Sequence, residues 1–179
     1  SVNEQVIHGI PGEYMLKDGD IVSIDCGACI DGFHGDAART FPVGNISSDA
    51  QKLIDITKES FFKGIEYAKV GNKLGDVSHE IQSYVEAAGF SVVRDFVGHG
   101  IGANVHEDPN VPNFGKAGIG PDLVKGMVLA IEPMVNIGNH KVKTLRNGWT
   151  VVTRDSSLSA HYENTVAILS DGPEILTLV

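Results

Sequence analysis

Apolar positions along this chain follow two rhythms. Residues 20–29 and 33–43 read as strands, with Asp31-Gly32 between them as a tight hairpin signal. After Ser48-Asp49, which suits a helix cap, the spacing lengthens. Leu53, Phe61 and Ile65 then share one helical stripe, with Ile54 and Phe62 beside it. Gly71 interrupts, and a second helix is expected over 74–88, with Val77, Ile81, Val85 and Ala88 inward and Gly89 as its stop. The rest reads mostly as strands: 1–10, ended by Gly9-Ile10-Pro11-Gly12, then 91–96, 127–135, 149–153 and 159–169. A Gly/Pro/Asn-rich stretch over 107–121 is expected to be a loop.

This order predicts one α+β domain, and 179 residues give it room for a substantial core. A net charge of −9 argues against a nucleic-acid or anionic-membrane partner. No apolar run reaches the length of a membrane span. Cys26 and Cys29 supply no disulfide framework, which fits a reducing compartment. In a strand, residues three apart point to opposite faces and there is no second Cys pair, so both are expected to pack rather than bind zinc.

The hairpin carries the first chemistry. A turn centred on Asp31-Gly32 sets Asp25 opposite Ala38 and Gly27 opposite Asp36. The two aspartates become diagonal neighbours on one face, with β-carbons about 7 Å apart or less. Carboxylates so placed can bracket two metal ions spaced about 3.5–4 Å. His99 lies in Gly98-His99-Gly100-Ile101-Gly102, where glycines let backbone approach a crowded centre and leave the imidazole unscreened. A phosphate loop is disfavoured there, because His106-Glu107-Asp108-Pro109 follows in place of a helix start and lysine. Glu132 interrupts the apolar run Val128-Leu129-Ala130-Ile131 and needs a strong partner. Glu163 shares a strand face with His161 and Thr165; alone it would read as an exposed strand face. Gathered in one pocket, the carboxylates of Asp25, Asp36, Glu132 and Glu163 would repel unless divalent cations joined them, and His99 would complete the ligand set. Such an oxygen-rich set suits Mn, Fe, Co or Zn.

His8 in HGIP, the aspartates of IVSIDCG and FHGDAA, VGHGIG followed by HEDP, LAIEPMV and SAHYENT closely resemble the type I methionine aminopeptidases. The resemblance runs in order through the whole chain. It implies the pita-bread fold, a curved, antiparallel-rich sheet with helices on one face, here a single catalytic domain over residues 1–179. It also implies a cytoplasmic metalloprotease, a monomer when full length, that removes initiator methionine from nascent proteins and peptides through water bridging two divalent metals. Asp25 would chelate one metal, Asp36 and Glu163 would bridge both, and His99 and Glu132 would complete the second. Glu132 would also handle protons, His106 would hold the scissile amide, and His8 would contact the tetrahedral intermediate. Trp149 would line the methionine pocket. Asn3, the backbone of Gln5, and Ser159 match a site for Na or K.

The chain also departs from the family. It lacks the N-terminal part that carries two helices, a strand and several pocket residues, so the first half's sheet is expected to expose apolar surface and the chain to be a piece of a longer enzyme. Val105 stands where the family often has a larger residue. His161 and Asn164 replace what are commonly Gln and His, and His161 is expected to support Glu163. The competing readings are a truncated or non-catalytic domain that binds metal without turnover, and a proline dipeptidase, which the flanking motifs disfavour.

Overall fold

In the computed structural model, which describes residues 1–178, two helices sit among short strands. The chain runs β1 (Gln5–Ile7), β2 (Ile21–Ile30), β3 (Phe33–Pro42), α1 (Ser48–Ile65), α2 (Leu74–Ala87), β4 (Ser91–Val92), β5 (Gly98–Gly100) and β6 (Glu107–Val111). It continues with β7 (Val128–Ile131), β8 (Met134–Asn136), β9 (Val142–Thr144), β10 (Val151–Thr153), β11 (Ser159–His161), β12 (Asn164–Leu169) and β13 (Gly172–Ile175).

Among the described residues every strand pairing is antiparallel. The pairs make a β2-β3 hairpin, a five-stranded sheet β13-β12-β7-β5-β6, and two three-stranded sheets, β11-β8-β4 and β1-β10-β9. Both helices pack on strands. Phe61 and Ile65 of α1 and Val77 and Ile81 of α2 bury their stripe against Leu129 and Ile131 of β7 and Val166 and Ile168 of β12. Val85 joins Leu53, Val135 and Ala160 in an adjoining cluster. This is the pita-bread architecture, with helices covering the second half of the curved sheet.

The hairpin has the register the turn dictates. Asp31 and Gly32 both take positive φ, 51° and 83°, the pattern of a type I′ turn. Asp25 therefore pairs with Ala38 and Gly27 with Asp36. The helix cap is one residue earlier than expected: Ser47, in extended backbone, accepts from Ala50 N at 3.2 Å and closes the first turn.

Several expected strands are shorter. The first is Gln5–Ile7 rather than 1–10, the fourth Ser91–Val92 rather than 91–96, and 149–153 narrows to Val151–Thr153. The stretch 107–121 is not wholly a loop, because Glu107–Val111 pairs with β5. The runs 127–135 and 159–169 are each broken in the middle, at Glu132-Pro133 and at Tyr162-Glu163. Pro133 has no N–H to give the ladder, so the first break has a local cause.

The hairpin face turned away from Asp25 carries Ile24, Ile30, Phe33 and Phe41, exposed by 54, 74, 68 and 46%. That is the uncovered apolar surface the sequence implied. Cys26 and Cys29 do point to opposite faces of β2, but both are exposed, so they are not packing residues. Nothing among the described residues lies over that part of the strand to bury them.

Candidate metal centre

The two broken strands bring Glu132 and Glu163 together. On one side of the break Ile131 pairs with Asn164; on the other Met134 pairs with His161. The register is the same on both sides, so Glu132 and Glu163 stand opposite one another. Tyr162 N donates to Pro133 O at 3.2 Å across the gap. Arg39 pins the break from β3. Its Nη1 donates to the carbonyls of Ala38 and Glu163, its Nη2 to Asn164 Oδ1 at 2.7 Å, and its guanidinium lies 4.2 Å from the centroid of the Tyr162 ring.

The same contacts dock the hairpin. Glu163 N donates to Ala38 O at 2.9 Å, while Thr165 Oγ1 accepts from Asp36 N at 2.8 Å and donates to Asp36 O at 3.0 Å. Asp36 is held beside Glu163 by its own backbone, and Asp25 follows from the hairpin register.

His99 comes from the five-stranded sheet, where it pairs with Ala130. Its glycine neighbours are required there. A Cβ on Gly98 would stand 2.2 Å from Ala130 O, and one on Gly100 2.3 Å from Asp108 O. His99 Nδ1 lies 2.9 Å from Gly100 O. A carbonyl only accepts, so Nδ1 carries the proton and the Nε2 lone pair faces the centre. Gly98→Ala is expected to push β5 off β7, cost about 1–3 kcal/mol of stability and weaken metal binding. Thermal melts with and without Mn check it; a variant with an unchanged metal-dependent rise shows that the close approach is unimportant.

Ligand atoms of Asp36, His99 and Glu163 all lie within 4.8 Å of one another. Glu132 Oε1 is 3.6 Å from His99 Nε2. A cavity of about 450 Å³ opens over them, lined by all five residues of the set and by His8 and His106. The carboxylates strain against each other. Burial, then the nearby Asp25 charge, pushes Asp36 up to about 6. Burial and then the charges of Glu132, Asp36 and Asp25 hold Glu163 well above the ordinary glutamate range. Four carboxylates and one bare imidazole nitrogen, two of the carboxylates held up by burial and by their neighbours' charge, form a donor set that fits divalent cations.

The remaining candidates surround this centre. The His106 ring lies 4.3 Å, centroid to centroid, from that of His99. His8, at φ 60°, stacks on Trp149 at 4.8 Å and meets Phe96 edge-on. Trp149 is exposed and does not itself line the cavity; it reaches it through His8. Asn3 O accepts from Ser159 N at 3.0 Å, and Gln5 begins β1 nearby. The Asn3 side chain is already paired with Asp20 at 2.8 Å and Ile21 N at 3.0 Å.

Three neighbours of the centre carried little or no sequence signal: Arg39, Thr165 as a clamp on Asp36, and the true partner of His161. His161 faces Glu132, at 3.5 Å, rather than supporting Glu163.

The chain matches the model of metallopeptidase family M24 over residues 1–170. It is 75% identical over 179 residues to the methionine aminopeptidase of Clostridium perfringens, covering 100% of this chain and 72% of that protein. It is 58% identical to methionine aminopeptidase 1 of Bacillus subtilis, with the same coverage. The crystal structure of methionine aminopeptidase from Thermotoga maritima superposes with a TM-score of 0.98 at 51% identity, over 100% of this chain and 72% of that one.

Proposed function

The chain belongs to metallopeptidase family M24, and from that premise we propose how its residues share the work. It is a metal-dependent hydrolase that removes the initiator methionine from proteins and peptides. The observation that carries the assignment of roles is the convergence of Asp36, His99 and Glu163 within 4.8 Å, beneath a cavity that His8 and His106 also line.

Two divalent cations, drawn from Mn, Fe, Co or Zn, would be held by Asp25, Asp36, His99, Glu132 and Glu163, with Asp25 serving one, His99 and Glu132 the other, and Asp36 and Glu163 shared between them. When bound, the cations supply Lewis acidity that activates water and polarises the scissile carbonyl. The chain's own groups orient the substrate and move protons. Glu132 accepts a proton at the cavity floor and returns it to the leaving amine. His106 holds the scissile amide by hydrogen bond, and His8 steadies the oxygen on which negative charge develops. Trp149, stacked on His8, fixes that ring beside the cavity. Asn3, the backbone of Gln5, and Ser159 would hold Na or K.

Residues 1–179 act as one catalytic domain, cytoplasmic, on peptides with N-terminal Met. Among the described residues no helix is long and apolar enough to cross a membrane. The protein acts as a monomer.

The assay is release of methionine from Met-Gly-Met with Mn or Co added, run beside Xaa-Pro dipeptides. His106→Ala is expected to lower kcat about a hundredfold while metal content stays unchanged. Metal binding with no cleavage of either peptide would leave a non-catalytic metal-binding domain. Cleavage confined to Xaa-Pro would make it a proline dipeptidase.

A further inference from the structure

His161 stands beside the five-residue centre without belonging to it. Its side chain is 2% exposed, and Nε2 has no hydrogen-bond partner among the described residues. An enclosed ring nitrogen left unpaired is unusual in a native fold and calls for an explanation. One acceptor is within reach: Glu132 Oε2 lies 3.5 Å away, a little beyond an ordinary hydrogen bond of about 2.9 Å.

The carboxylate of Glu132 therefore faces two imidazoles, one from each oxygen. Oε1 looks toward His99 Nε2 at 3.6 Å, and Oε2 toward His161 Nε2. The imidazoles differ in what they offer. His99 spends its N–H on Gly100 O and turns a bare lone pair to the centre. His161 has no such engagement for Nε2, so that nitrogen is free to carry the proton.

The backbone beneath His161 is fixed. His161 N donates to Thr40 Oγ1 at 2.8 Å, and the same hydroxyl donates to His161 O at 2.9 Å. Across the sheet His161 pairs with Met134, two residues beyond Glu132. Only the side-chain torsions remain, and a shift of about half an ångström, roughly the excess over an ordinary contact, makes a full bond.

We propose that His161 is a positioning residue for Glu132. It donates Nε2–H to Oε2 and so aims Oε1 at the point that His99 Nε2 also faces, the pair that would share one cation. The inference rests on Glu132 being a ligand, as proposed above. A partner of this kind, one bond out from the metal, fixes the ligand's orientation before the ion arrives.

Two substitutions separate donor from bulk. His161→Gln keeps an N–H donor, whereas His161→Leu fills the space without one. With Co(II) as the probe, isothermal titration of the full chain is expected to show His161→Leu weakening the weaker of two binding events by about 10–100-fold. Its kcat on Met-Gly-Met falls while KM stays within about twofold. His161→Gln restores both. In the Zn-loaded parent protein, a long-range ¹H–¹⁵N correlation is expected to show His161 protonated at Nε2.

A folded His161→Leu variant that binds Co(II) and turns over as the parent does overturns the proposal. So does a proton found only on Nδ1, a result that requires no variant to fold. If His161→Gln fails as badly as His161→Leu and shifts the Co(II) absorption bands, His161 is itself a ligand and the positioning role is wrong. Glu132→Gln guards the premise. Parent-like Co(II) affinity in that variant removes Glu132 from the ligand set, whereas weak binding there beside normal binding in His161→Leu defeats the positioning role alone.

Discussion

Glu163→Gln is expected to abolish methionine release and yet raise the melting temperature of the metal-free protein at pH 8. The two effects have one cause. Glu163 is 2% exposed, and burial together with the charges of Glu132, Asp36 and Asp25 raises its carboxyl above the ordinary range. A raised folded value means the fold favours the protonated form. That contribution is complete below the unfolded value, about 4.5, and is lost as pH rises through the folded one. At pH 8 the unfolded chain ionises this carboxyl freely while the metal-free fold disfavours its charge, and a neutral amide of the same shape removes that cost. The amide is also a poor ligand for a divalent cation. Losing the several kcal/mol that bound metal contributes to the transition state corresponds to at least about a thousandfold in kcat/KM. Thermal melts with EDTA and with Mn, beside the Met-Gly-Met assay, check both halves. A variant that melts lower without metal shows that there was no repulsion to relieve. One that keeps its activity removes Glu163 from the ligand set.

The parts of this site that were legible in sequence are those set by local chemistry. The Asp31-Gly32 turn takes positive φ at both residues, and a turn of that type admits one register, so Asp25 and Asp36 were placed on one face by counting. The glycines beside His99 were equally readable, because close approach of backbone to a crowded strand leaves no other residue. What sequence did not disclose depends on strands far apart in the chain. The run 159–169 can be read as one continuous strand from end to end, and nothing in it marks a break at Tyr162-Glu163. The break follows from the facing strand, where Pro133 interrupts the ladder, and from Arg39 reaching over from β3. Strands of two to four residues such as β4, β9 and β13 exist because of their partners, not their own propensity. Cys26 and Cys29 failed as packing residues for the complementary reason: alternation says which face a side chain takes, not whether anything covers it. His161 was read as sharing the face of Glu163, but a two-residue spacing says nothing of which side chain its ring reaches across the sheet, and that is Glu132.

Metal affinity is expected to collapse as pH falls through 6, and the metal-free protein to lose stability as pH rises through the same range. Asp36 supplies the arithmetic. Its folded value is about 6, against an ordinary 3.8, because burial and Asp25 disfavour its charge. The sign is that of a raised acid. Its contribution to stability is fully present below about pH 4 and is gone once pH has passed its folded value. Relative to Asp36→Asn, the EDTA-treated protein should therefore melt progressively lower between pH 4 and pH 7. A cation must displace the Asp36 proton, and that of Glu163 where it is held, so each one displaced weakens binding about tenfold per pH unit below the folded value. Titrations of Mn at pH 5 and 7, in buffers of different ionisation enthalpy, count those protons directly. Binding that releases none and is equally tight at both pH values would mean that the carboxylates are already ionised and unstrained without metal. The electrostatic case for the centre would then fall. If protons are released with the expected slope, the same repulsion that makes the empty cluster costly is what selects a divalent cation for it. The asymmetry also orders the events. Asp25, the exposed member of the set, offers an open approach, whereas Glu163 is enclosed and surrenders its proton only when compensating charge arrives. Loading should then be steepest in pH for the step that engages Glu163, and Glu163→Gln should flatten that dependence while Asp25→Asn, which removes one of the charges that raise Glu163, shifts it to lower pH.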